Sequence, residues 1–196
     1  MDNQHPQSSA EQAQTVTRSI EHWLDEVVIG LNLCPFAAQP RRAGSIKIEL
    51  IPQCDSETAL QHLQRLLKEL EAAEPSEHET TLVVFPDMLT NFDDFLGFLE
   101  LADALVDSLG WRGTYQLASF HPDYCFAGNL PGAPANLTNR APHPIVHLLR
   151  EASVEQALAN YPDPASIPVR NIKTVTGLSE RERSRLFPHL SDPDPA

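Results

Sequence analysis

The chain is short of cysteine, glycine and basic residues, and it has no long apolar run. Its three cysteines, Cys34, Cys54 and Cys125, are an odd number in a chain too long to be a disulfide scaffold. No two of them have the Cys-x-x-Cys spacing of a structural zinc site. Eight glycines leave little material for a phosphate-cradling loop. Neither a Walker A loop nor a G-x-G-x-x-G turn occurs, and H-E-x-x-H and G-x-S-x-G are missing too. No motif names a cofactor. Nothing nears the ~18 consecutive apolar residues that span a bilayer. The start, Met1-Asp2-Asn3-Gln4-His5-Pro6, has no basic region leading into an apolar run, so no secretory signal is expected. A cytoplasmic location with reduced thiols follows as the expectation. Lys and Arg number 14 against 27 Asp and Glu, a formal charge of −13. The basic clusters are Arg41-Arg42 and the group Arg181, Arg183, Arg185. Polyphosphates and anionic membranes are held by clustered cations, so neither nucleic acid nor membrane is an expected partner. A small molecule or a metal ion is.

At 196 residues the chain fits one domain. Polar stretches at 1–8 and 188–196 read as disordered tails around a domain at 9–187. A first helix is predicted from Ser9 to Val28, with Ser8 and Glu11 at capping-box spacing and Gly30 as its stop. Ile46, Ile48 and Leu50 alternate with Lys47 and Glu49, the pattern of a half-buried strand. Asp55 or Ser56 caps a second helix with Leu60, Leu63, Leu67 and Leu70 inward. Thr80–Phe85 reads as a central strand buried on both faces. Asn91 caps a third helix through Leu109, and Thr114–Phe120 is a third strand. Strands alternating with helices imply a three-layer α/β domain, with a small parallel or mixed sheet of three to four strands. A ferredoxin-like α+β arrangement is the alternative. Residues 121–144 are rich in proline and asparagine and lack periodicity, as functional loops often do. Pro144 is expected to open a short helix, Ser153 and Gln156 to cap another, and 169–175 to add a strand.

Ligands of open parallel sheets bind beyond the carboxyl ends of the strands. All three strands run into a proline there, at Ile51-Pro52, Phe85-Pro86 and His121-Pro122, which ends pairing. That rim carries Cys54, Asp87, His121 and Asp123. His121 is the leading candidate, as acid, base or metal ligand; the plainer role is fixing a loop by hydrogen bonds. Asp123 would orient it or share a metal, or else close an Asx-turn. Cys34 would be a nucleophile or thiolate ligand, although it follows a helix C-terminus and has apolar neighbours, which suits a packed thiol. Asn139 and Arg140 lead toward the helix expected after Pro144. Its N-terminus would favour an anion that Arg140 could clamp, unless both residues serve only loop carbonyls. His147 and Glu151 are expected one turn apart on that helix. A possible metal set is His121, Asp123 and His147. The remaining histidines, His189 among them, are set aside as lying on tails, loops or polar faces.

Several phrases together resemble one bacterial family, catalogued as domain of unknown function 1415. They are Leu31-Asn32-Leu33-Cys34-Pro35-Phe36-Ala37, Pro86-Asp87, Phe92-Asp93-Asp94-Phe95, Ser119-Phe120-His121-Pro122-Asp123-Tyr124, and Asn139-Arg140 through His147-Leu148-Leu149-Arg150-Glu151. The likeness spans about Thr15 to Lys173. It implies a bacterial cytoplasmic protein and no mechanism. His143 departs from the aromatic residue of the family and is left out of the site. The expected function is an enzyme acting on a small anionic metabolite. His121 would be its acid or base, Asp123 the orienter, Cys34 a nucleophile, and Arg140, Asn139, Asp87, Tyr124 and His147 would bind the ligand. The alternatives are a metal- or ligand-binding protein without turnover and a partner-docking domain.

Overall fold

The structure, a computed structural model, describes residues 9–190. The tail expected at 1–8, the Ser8 cap and residues 191–196 lie outside them. Helix α1 (Ser9–His22) buries Val16 and Ile20 and passes directly into a π-helix, Trp23–Ile29. A short α2 (Ala38–Ala43) leads to β1 (Ile46–Leu50), then α3 (Ser56–Ala72) and β2 (Thr80–Val84). Asp55 caps α3 by accepting from the Thr58 amide at 2.8 Å. Helix α4 (Phe92–Ser108) starts at Asn91, whose side chain accepts from Asp93 and Asp94, and β3 (Tyr115–Phe120) follows. Apart from the π-helix and α2, which the sequence did not announce, these elements match its alternating pattern.

The next two elements do not. Residues 145–150 are a strand, β4 (Ile145–Arg150), not a helix. After α5 (Glu151–Ala159), residues 167–176 are a helix, α6 (Ile167–Thr176), not a strand. Ser153 lies inside α5 and caps nothing. Helix α7 (Glu180–Leu186) has the capping box Ser179–Glu182. The chain then makes a 3-10 turn at Pro188–Leu190, with Leu190 packed on the core.

The sheet order is β1-β2-β4-β3. β1 and β2 are parallel, and β4 is antiparallel to both neighbours. The three strands read from the sequence therefore run one way, and β4 is inserted between two of them. Phe120 at the end of β3 pairs with Ile145 at the start of β4, so 121–144 is the excursion of a hairpin. Asn136, fully buried, holds the excursion together. It accepts from Phe126 N and Asn129 Nδ2, and donates to the carbonyls of Leu130 and Pro131.

Alternation splits the core in two. Val83, Phe85, Val146 and Leu148 face α3 and α4. Leu82, Val84 and Ile145 face α1, the π-helix, α6 and α7. This is a three-layer α/β domain with a mixed sheet. Among the described residues no helix is long and apolar enough to cross a membrane.

Candidate functional site

The two leading histidines lie on opposite faces of the sheet. His121, just past β3, is fully buried against Phe92 and Phe95 of α4, with both ring centroids 5.2 Å away. Its Nε2 donates to Leu89 O at 3.0 Å, and its Nδ1 accepts from the Asp123 amide at 2.9 Å. A ring that donates through one nitrogen and accepts through the other is neutral, and burial accordingly lowers its pKa. Both nitrogens are spent inside the protein.

The rest of the expected rim frames the same excursion. Asn139 donates to Ser119 O at 3.1 Å. Arg140 donates to Tyr124 O at 3.3 Å and Pro131 O at 2.7 Å, while its own carbonyl accepts from Trp23 Nε1 at 2.9 Å. Tyr124 packs on Phe92 and Phe126. Asp87 and Asp123 are exposed. Cys54 sits beside Met88. No helix N-terminus follows Pro144, so the anion site expected there is absent.

His147 is elsewhere, on β4, facing the other helical layer. It pairs in register with Leu82 and Ala118. Here the sheet does not close onto its helices, and a cavity of about 510 Å³ remains. Its floor is β-sheet: Ile46, Thr80, Leu82, Ala118, Phe120 and His147. The π-helix supplies Trp23, Leu24 and Val28, the following loop supplies Cys34 and Phe36, and α5 supplies Val154 and Ala157. π-turns in helices are frequent at functional sites. This one swings its wall outward, with Gly30 N bonding Asp25 O at 2.9 Å, five residues back.

One polar constellation stands on that floor. Thr80 Oγ1 is 2.5 Å from Leu148 O and 2.7 Å from His147 Nε2. A carbonyl can only accept, so the hydroxyl proton goes to Leu148 and Nε2–H donates to the hydroxyl oxygen. Burial holds His147 near pKa 4, so the ring is neutral at pH 7. Its Nδ1 keeps a lone pair and has no hydrogen-bond partner among the described residues. Arg150, at the cavity margin, is engaged through Nη2 with the carbonyls of Leu70, Ala73 and His78, while its Nε is buried without a partner.

Cys34 is half-buried in the same cavity. Burial raises its pKa, opposed by the amides of Phe36 and Ala37 just ahead of α2. The thiol therefore answers to the start of one helix as well as the end of another, which the sequence reading did not weigh. All three cysteines are free. The expected metal set is not assembled, because His147 is across the sheet from His121 and Asp123. Among the described residues no cluster of three or more His, Cys, Asp or Glu is arranged to hold a metal.

Of the expected site residues, then, Cys34 and His147 meet in the cavity, and the others do not. Thr80, Trp23 and Ala118 were missed. The available signal was the β-branched opening and six-residue length of Ile145–Arg150, which is strand-like.

No curated protein and no solved structure matches the chain. A family profile described as "Protein of unknown function (DUF1415)" matches residues 15–185. Most of the chain is covered, from the middle of α1 to the last turn of α7, and the chain belongs to that family.

Proposed function

We propose that the protein binds a small molecule in the sheet-face cavity, with a mainly apolar body and one hydrogen-bond donor directed at His147 Nδ1. The observation that carries this is the unpartnered Nδ1 of a neutral imidazole on the floor of a mainly apolar cavity, with Gln39, Glu79, Gln116 and Gln156 among its polar lining residues. Small-molecule sites are commonly apolar cavities of about 300–1,000 Å³ with a few placed polar groups. The anionic metabolite expected from the sequence fits this cavity less well than an uncharged ligand, since Arg150 Nη2 is committed to carbonyls. Three unpaired thiols are consistent with a cytoplasmic location.

Catalysis is the second reading, favoured by one observation: Cys34 and His147 share the cavity. It would be covalent chemistry at sulfur with the imidazole as proton acceptor.

The test is a thermal-shift screen with apolar metabolites. Hits should stabilise the wild type and lose their effect in Ala118→Leu, which fills the cavity, and in His147→Phe, which removes the acceptor. A ligand at 100 times its Kd adds about 2.7 kcal/mol, a shift easily resolved for a domain of this size. Hits that stabilise both variants as well as the wild type would sink the assignment.

A further inference from the structure

A second cavity, of about 220 Å³, lies between the proline-rich end of the excursion and α7. Its walls include Pro131, Pro134, Leu137 and Phe187, and two guanidinium groups, Arg140 and Arg183, also line it. The chain is strongly acidic, and five of its 14 Lys and Arg residues, Arg41, Lys47, Arg65, Arg112 and Arg185, are ion-paired. Arg140 and Arg183 form no ion pair with any described residue. The Arg183 side chain makes a single hydrogen bond, from Nη2 to Thr176 O at 3.3 Å. Its Nε is buried without a partner. Nη1 of each arginine is likewise unpartnered. Asp123 is near enough to act on His189 electrostatically, but it makes no ion pair with Arg140.

Two guanidinium groups at one cavity, short of acceptors and with apolar walls between them, match an oxyanion carrying a small apolar body. Arginine meets carboxylate and phosphate through paired, charge-assisted hydrogen bonds. We propose that this cavity is a binding site for a small organic carboxylate or phosphate, its oxyanion between Arg140 and Arg183 and its apolar part against Leu137 and Phe187. The site is separate from the sheet-face cavity and does not depend on it.

The experiment is calorimetric titration of the full chain with benzoate and with inorganic phosphate, against chloride at equal ionic strength. Saturable binding of either oxyanion beyond the chloride control is expected. Benzoate alone assigns a carboxylate with an apolar body, and phosphate alone assigns a phosphoryl group. Arg183→Gln should weaken the binding by roughly tenfold or more, the equivalent of one charge-assisted hydrogen bond. Without anion it should melt close to wild type, because it gives up one long bond. If that variant fails to fold, Arg183→Lys replaces it, keeping the charge but not the fork, with a loss again expected. Ala118→Leu should bind the oxyanion as wild type does. Binding no better than chloride, or an Arg183 variant that binds like wild type, overturns the proposal.

Discussion

A thiol and an imidazole in one cavity invite comparison with the ion pair of cysteine hydrolases, but each environment here favours the neutral form. Desolvation opposes charge on both groups. A thiolate next to an imidazolium would need the sulfur lowered and the ring raised, the reverse of both shifts. Modification of Cys34 by iodoacetamide, followed by peptide mapping, should therefore be slow at neutral pH. Its rate should climb without a plateau past the ordinary thiol pKa of about 8.5. A rate that levels off below pH 8 would reverse the preference between binding and catalysis. His121 teaches the complementary lesson. Its place at a strand end was legible in the sequence, but its role was not. The partners that satisfy it, Leu89 O and the Asp123 amide, are backbone groups, and no side-chain pattern announces them. Asn139 and Arg140 were readable as either ligand-binding or carbonyl-binding residues; Asn139 meets the carbonyl of Ser119, and Arg140 meets those of Tyr124 and Pro131 through Nε and Nη2 while also lining the second cavity.

Among the elements, the π-helix has the most direct consequence for substitution. Gly30 has φ −60°, ordinary helical backbone that any residue adopts. In an α-helix, replacing such a glycine by alanine gains about 1 kcal/mol. Here an added Cβ would stand 2.3 Å from the Glu26 carbonyl oxygen, because the widened turn carries that carbonyl under position 30. Gly30→Ala should therefore destabilise, by about 1–3 kcal/mol as overpacked sites do, measured by urea unfolding. A stabilised variant would mean that the turn is not π. Helices α1, α3 and α4 and the first three strands were legible because each carries its own period, and α3 and α4 their own caps, Asp55 and Asn91; the short α2 was not read. β4 was not, since Pro144 before Ile145-Val146-His147-Leu148-Leu149-Arg150 suits a helix start as well as a strand boundary. The contacts that decide it are the ladders on either side, from Thr81–Val84 and Tyr115–Phe120, and those are distant in sequence. α6 was lost to the same cause. Val169 and Ile172 are exposed on it, so its apolar residues do not trace the buried face.

For the whole molecule, the histidines set the response to acid. In an unfolded chain they titrate near pH 6.5. In the fold, His147 and His189 are held near 4, and His78, His121 and His143 are also lowered, each chiefly by burial. His189, set aside on sequence grounds, packs on Phe187 and has Nε2 buried without a partner; after burial, the nearby His143 and Arg140 hold its charge down. Between the folded and unfolded pKa values the unfolded state binds more protons, so stability rises with pH through that interval. It should be flat above about pH 7, fall as the pH drops through 6.5 toward 4, and lose little more through these groups well below 4. Glu49 and Glu69, lowered by Arg65 and Lys47, contribute stability that is lost only at lower pH, as the carboxylates protonate. Urea unfolding at steps from pH 7.5 to 5 should show this decline before Glu49 and Glu69 lose their charge. His147→Gln removes one of the groups, so near pH 5.5 its dependence of log K on pH should be shallower than wild type by about one proton. A wild-type stability that stays flat down to pH 5, or a His147→Gln slope equal to wild type, would show that these rings are hydrated and chargeable in the fold. In that case the neutral His147 on which the cavity assignment depends would be lost with them.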